Sequence, residues 1–372
     1  MKNQISKFIL TSSIFSIQIL TSCTSDPETI IEAVVVTETV TITTTIPATT
    51  PTSKTVGSVG ITYIDDAQAR TNHRIWIMNG KVVVRSGGSL TIEAGTIIKA
   101  QSGQGDEATA SIIAAGASIN VIGTEDSPII ITDIEDSIDY GDGIISPNRK
   151  PTNTGKWGGT IILGKAIVGE DGGSDDIEGI AEGYAWTSYG GSDDADSSGS
   201  FSYVSISHSG TQLAGGDEIQ GLTLGGIGYG TTLSDIEVVG SNDDGIEIFG
   251  GAVQITNIVI LNQRDDAIDL DEGFRGTLTN AVIVMQSNSY NPFEVDDTED
   301  STGTTGGSFT INNVTVYTNT APESGKNFLG DWKSDVTGFT KNIVYKNIDG
   351  LAIKGIDADT YNGVATAANP KT

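Results

Sequence analysis

The chain has one cysteine, two histidines and three methionines in 372 residues, and 20 basic side chains against 48 acidic ones, a formal net charge of −28. A single cysteine excludes an intrachain disulfide and any cysteine-based metal cluster. Two histidines leave little room for His-rich metal sites or triad chemistry. The shortage of positive charge excludes direct binding to nucleic acid or to an anionic membrane surface, because both need basic patches. An acidic ligand would need a bridging cation. Long apolar runs are scarce too. Apart from Phe8 to Leu20, no stretch suggests membrane insertion. What is abundant is Thr, Ile, Val and 47 glycines, a mixture suited to strands and tight turns. The length fits one large all-β domain or two ordinary ones.

The N-terminus reads Met1-Lys2-Asn3-Gln4-Ile5-Ser6-Lys7, then the apolar run, then Leu20-Thr21-Ser22-Cys23. A basic start and a short apolar segment describe a secretory signal, too short to span a bilayer. A large apolar residue, two small ones and a cysteine resemble the cleavage box of bacterial lipoproteins. That resemblance implies a signal peptide over 1–22 and acylation (palmitate) at Cys23. The alternative is a plain secretory signal with an incidental cysteine. Cleavage would remove Lys2 and Lys7 and no acids, leaving 18 basic and 48 acidic side chains and a net charge of −30. Thr24-Ser25-Asp26-Pro27-Glu28 resembles the acidic sorting signal of surface-exposed Bacteroidota-type lipoproteins. It implies an outer-membrane protein facing the cell exterior, touching the membrane through its lipid anchor only. Residues 23–56 hold twelve threonines and three prolines after Cys23, a low-complexity linker that would reach roughly 100 Å if extended.

From Gly57 to Thr372 the chain repeats weakly. Asn242-Asp243-Asp244-Gly245-Ile246-Glu247-Ile248 matches Arg264-Asp265-Asp266-Ala267-Ile268-Asp269-Leu270, 22 residues on. The strands ahead of them, Leu233-Ser234-Asp235-Ile236 and Ile255-Thr256-Asn257-Ile258, keep the same spacing. Leu278-Thr279-Asn280-Ala281 follows at 23. Short strands separated by Gly/Asn/Asp turns and returning every 22 to 25 residues predict the coils of a parallel β-solenoid. A β-sandwich would not hold equivalent dipeptides at one coil length. The segments 210–218 and 288–294 read as loop insertions.

The pieces GTEDSPIIIT, WGGTIILG, IEGI, GLTLGGIGYGTTL, DDGIEIFGG and DDAIDLDEGFRGTL, in that order, resemble Bacteroidota-type surface lipoproteins. The resemblance spans about Ile75 to Leu278 and, more loosely, the remainder. It implies an all-β, right-handed parallel β-helix of the pectin-lyase-like type. It carries no activity with it.

Alternation within strands places Glu247 outward between Ile246 and Ile248, Asp269 between Ile268 and Leu270, and Glu294 between Phe293 and Val295. The predicted outward column is Thr223, Glu247, Asp269, Glu294. Two positions on it reads Gly225, Phe249, Asp271, Asp296. With coils about 4.8 Å apart, Asp269, Asp271, Glu294 and Asp296 would form a square of carboxylates, with Glu247 one coil away. Like charges so close need compensation. Three answers are open: bound Ca²⁺, since oxygen-only ligands suit a hard cation; the neighbouring Arg264 and Arg275; or protonation with a catalytic role. A solvated acidic face needs none of them. Asp243-Asp244 and Asp265-Asp266 read first as caps of solenoid corners. The acidic runs 171–178 and 193–196 fall in Gly/Ser-rich loops, which place cation ligands poorly.

The pair NDDGIEI and RDDAIDL is similar to the paired Asp motifs of polygalacturonase-type hydrolases, which implies Asp244 and Asp266 as catalytic candidates. Those enzymes also carry Gly-His-Gly and Arg-x-Lys on later coils. Here Glu272-Gly273-Phe274-Arg275-Gly276 stands instead, and no histidine follows His208. A lyase would need a base, and between Lys165 and Lys326 only Arg264, Arg275 and His208 are basic. His208 reads as a turn residue. Trp157 and Trp186 are candidates for stacking on sugars, against the plainer role of packing caps. The expectation is therefore a lipid-anchored β-helix that binds a polysaccharide or other cell-surface ligand with Ca²⁺. A polysaccharide lyase or hydrolase, and an adhesin or structural surface protein, are the alternatives.

Overall fold

A computed structural model describes residues 53–346, except 73, 182, 213–217, 298–306, 319–329 and 334–335. Cys23 and the Thr-rich linker up to Thr52 lie outside the described residues. Among these, twenty strands pair in parallel as one continuous wound sheet. They form a parallel β-helix. The first strand, Lys54–Ile64, pairs with Trp76–Val84. No α-helix occurs among the described residues, only one short 3₁₀ turn at Gly105–Glu107.

Two columns of strands set the frame in the C-terminal half. Long strands stack as Gly199–Ser207, Thr232–Val239, Gln254–Leu261, Thr277–Met285, Phe309–Thr318 and Gly338–Lys346. Short strands stack as Thr160–Leu163, Leu222–Gly225, Ile246–Phe249, Ile268–Asp271, Phe293–Val295 and Asp331–Trp332. The 22-residue repeat is the coil length between Thr232–Val239 and Gln254–Leu261, whose registers match at Ile236↔Ile258. Ile248, Leu270 and Val295 from the short column and Ile260, Ile283 and Val316 from the long one are buried in a common core.

Each long strand bends at one residue in the left-handed region: Tyr203, Asp235, Asn257, Asn280, Asn313 and Asn342, with φ between 51° and 62°. The bend explains why Ile255 and Ile258, three apart, both point inward. Asparagine and aspartate visit this conformation at less cost than other L-residues. Their side chains also bond along the stack, Asn257 Nδ2 to Asp235 Oδ1 (2.8 Å), Asn280 Nδ2 to Asn257 Oδ1 (3.1 Å) and Asn313 Nδ2 to Asn280 Oδ1 (2.5 Å). Replacing Asn280 by valine is expected to destabilise by about 2 kcal/mol through αL strain and lost bonds. Asn280→Gly should cost clearly less, since glycine keeps the backbone free. Equal urea midpoints for the two variants would rule this account out.

Tryptophan 157 departs from expectation. It is fully enclosed and its indole N–H donates to Ser207 O at 2.9 Å, so it stacks on core residues and not on a sugar. The chain enters this coil tightly: a Cβ on Gly159 would lie 1.9 Å from Gln220 O.

Candidate carboxylate site

The outward position of the short column can be followed coil by coil. It runs Val83, Ile112, Ile161, Thr223, Glu247, Asp269, Glu294 and Asp331. The register expected for Thr223, Glu247, Asp269 and Glu294 is the register observed. The same column is apolar in its first coils and acidic in its last.

The apolar end is roofed. The segment after Lys165 carries a hairpin, Ser174–Asp176 against Ser188–Gly190, and packs Val168, Ile177, Ile180, Trp186 and Tyr189 onto Ile112, Ile161, Leu163 and Phe249. Burying five such side chains stabilises by roughly 8–15 kcal/mol as an upper figure. Trp186 belongs to this second core, 7% exposed and stacked on Tyr184 at 5.1 Å. It too is a packing residue, not a sugar platform.

The roof reaches the start of the acidic stretch. Gln220 Nε2 donates to Glu178 Oε1 (2.7 Å) and Thr223 Oγ1 to Gln220 Oε1 (2.7 Å). Glu247 below is only 7% exposed, Asp244 5% and Asp266 3%. Glu247 and the corner acids Asp244 and Asp266 are therefore withdrawn from solvent, whereas Asp269, Asp271, Glu294 and Asp296 are half-buried.

Glu247, Asp269 and Glu294 are joined by two acids from the preceding corners. Oxygens of Asp244, Glu247 and Asp269 lie within 4.8 Å of one another, as do those of Asp266, Asp269 and Glu294. Asp244 and Asp266 also cap the next coil, accepting from Asp266 N (2.7 Å) and Asn291 N (2.5 Å). They are corner caps and cluster members at once. Asp271 and Asp296 fall outside these groups. Their Oδ1 atoms accept from the following backbone, Glu272 N (2.8 Å) and Asp297 N (2.9 Å). Positions two apart along a strand lie about 6.6 Å apart, farther than neighbouring coils.

Burial is the first cause that holds Asp244, Glu247, Asp266 and Asp269 well above the carboxylate range, and the neighbouring carboxylates add to it. Asp243 is pushed up to about 6 by burial and by Asp265. Asp266 shares a hydrogen bond with Glu294 that favours its protonated form. Lys333 pairs with Glu294; burial opposes its charge, and the pairing outweighs burial and raises it. Two ionised carboxylates about 5 Å apart repel by roughly 3 kcal/mol at an effective dielectric of 20, so the cluster needs protons or a cation. Two of its buried oxygens, Glu247 Oε2 and Asp269 Oδ1, have no hydrogen-bond partner.

Residues 63–369 match the family model described as a pectate-lyase like beta helix domain. The chain belongs to this family. No curated protein and no solved structure matches it.

Within this pectate-lyase-like β-helix, the basic candidates stand apart from the cluster. Arg275 is bound to Asp194 (2.8 and 3.1 Å) and to Ile167 O (2.8 Å), which ties the segment after Lys165 to a coil corner. Arg264 is exposed and donates to Asn242 Oδ1 at 3.2 Å. His208 is buried at a strand end, φ 64°, with Nδ1 2.8 Å from Asn153 O, the turn role expected of it. Glu178 ends the acidic run 171–178, but its bond to Gln220 had no signal in the sequence, and neither had Lys333, since each sits in or beside an aperiodic loop. The acids 193–196 serve as caps, as where Asp196 Oδ2 accepts from Lys165 N (3.0 Å).

Proposed function

We propose that this domain binds an acidic polysaccharide through Ca²⁺ held by Asp244, Glu247, Asp266, Asp269 and Glu294. The observation that carries the reading is the pair of buried, unpartnered oxygens, Glu247 Oε2 and Asp269 Oδ1, facing other carboxylates. The donor set is all oxygen, which suits a hard cation. Two oxygens on one Ca²⁺ at about 2.4 Å are at most about 4.8 Å apart, so the spacing fits. The ligand approaches from the Asp269–Glu294 end, where the Glu294 side chain is 16% exposed, beside Lys333 at 43%. A bound cation would supply the positive charge that this acidic surface lacks and bridge to carboxylates of the polymer. In this reading a lipid anchor at Cys23 and the linker hold the domain at the outside of the outer membrane.

A second reading, lyase or hydrolase action, draws on the hydrogen bond between Asp266 and Glu294, which sets a protonated acid beside a carboxylate. Calorimetry with the full chain decides the first point: Ca²⁺ should give a binding isotherm that Asp269→Asn/Glu294→Gln weakens by at least tenfold. Pull-down on an acidic-polysaccharide panel should require Ca²⁺. Equal heats in both proteins, or calcium-independent capture, would refute the binding reading. Unsaturated uronate absorbance or new reducing ends would move the assignment to an enzyme.

A further inference from the structure

A second group of carboxylates lies on the roof, built by two segments about 100 residues apart in sequence, one carrying Glu170 and Asp175 and the other Glu272. Gly169 N donates to Glu272 O at 2.9 Å, which brings the loop carrying Glu170 against the corner after Ile268–Asp271. Asp175 is the middle residue of its hairpin strand, paired with Tyr189. Oxygens of Glu170, Asp175 and Glu272 lie within 4.8 Å of one another. Loop acids here are thus placed by a paired hairpin, contrary to the expectation that this run places ligands poorly.

The feature that singles out this group is Glu272. It is 4% exposed. One oxygen, Oε1, accepts a short hydrogen bond from the Tyr189 hydroxyl. The other, Oε2, is buried and has no hydrogen-bond partner. A buried carboxylate oxygen left unpaired beside two further carboxylates is unfavourable unless a proton or a cation takes it. Arg275, three residues on, is already engaged by Asp194 and Ile167 O.

We propose that Glu170, Asp175 and Glu272 form a second hard-cation site that takes Ca²⁺ and clasps the roof hairpin to the coil corner. Backbone carbonyls and water complete the coordination that this ion requires. The clasp keeps Tyr189 seated beside Phe249, ring centroids 5.9 Å apart, and so keeps the roof closed above Glu247. The inference rests neither on a cation in the first cluster nor on a polysaccharide.

The test is limited proteolysis of the full chain, with cleavage between 170 and 190 followed by mass spectrometry in chelator and in Ca²⁺. A ligand that binds only the closed hairpin at ten times its Kd suppresses opening about tenfold. Wild type should therefore be cut about tenfold more slowly with Ca²⁺. Asp175→Asn, at an exposed position, and Glu272→Gln should both lose that protection. Asp269→Asn/Glu294→Gln should retain it. Calcium-independent cleavage of wild type overturns the proposal. So does protection that survives in Asp175→Asn, or that is lost in the Asp269/Glu294 variant while Asp175→Asn keeps it, since calcium would then act from the first cluster.

Discussion

In chelator, the full-length protein should melt at least about 5 °C higher at pH 5 than at pH 8, and Ca²⁺ at pH 8 should restore the difference. The sign follows from the raised carboxyls. In the unfolded chain, Asp and Glu titrate near their ordinary values of 3.8 and 4.5. In the folded chain, burial with few compensating bonds raises Asp244, Glu247, Asp266 and Asp269, and pushes Glu272 up to about 9. Above pH about 4 the unfolded state releases protons that the folded state retains, so stability falls as pH rises. The contribution is complete below the unfolded values and is lost through the folded ones, for Glu272 up to about pH 9. Each tenfold gain in proton affinity on folding corresponds to about 1.4 kcal/mol. The net charge of −28 gives a slope of the same sign. The decisive comparison is therefore Glu247→Gln/Asp269→Asn, which should show a flatter curve and a higher Tm at pH 8 in chelator. A wild-type melting temperature that is constant or rises from pH 5 to 8 in chelator would contradict the buried, charge-poor cluster.

Trp157→Ala should cost about 3–5 kcal/mol, the largest single-residue loss expected here. Its ring is fully enclosed and its N–H is bonded to Ser207 O. Trp157→Phe keeps most of the volume and loses the bond, so about 1–2 kcal/mol is expected. Urea denaturation measures both. A change below about 0.5 kcal/mol, the size of an ordinary surface substitution, would mean that this ring is not part of the core. Affinity for any polysaccharide should be unchanged in Trp157→Phe.

The β-helix was legible because coil length is written in the spacing of like residues. Asp244 and Asp266, Ile236 and Ile258, and Asp235 and Asn257 are each 22 apart and each occupy equivalent places. Alternation likewise gave the outward column through Thr223, Glu247, Asp269 and Glu294. It gave a direction and not an environment. Glu178, which acts on Glu247, sits in a segment held down by Ile177, Ile180 and Trp186, sparse apolar residues in a Gly/Asp-rich stretch without period. The same blindness hid Trp157, whose position after a turn fits either a platform or a core residue. The corner acids Asp244 and Asp266 were readable as caps. That they complete a cluster depends on the corner lying against the strand of the next coil, which no spacing along the chain reports.

The roof also bears on how the molecule comes apart. A solenoid transmits stability only between adjacent coils, so its ends open independently and its middle gains little from distant repeats. The second apolar core runs from Val83 to Phe249 and so touches coils that never touch one another. It acts as a splint across the stack. Hydrogen exchange should accordingly show Ile112, Ile161 and Phe249 opening together as one cooperative unit, with the coils beyond Phe293 exchanging separately.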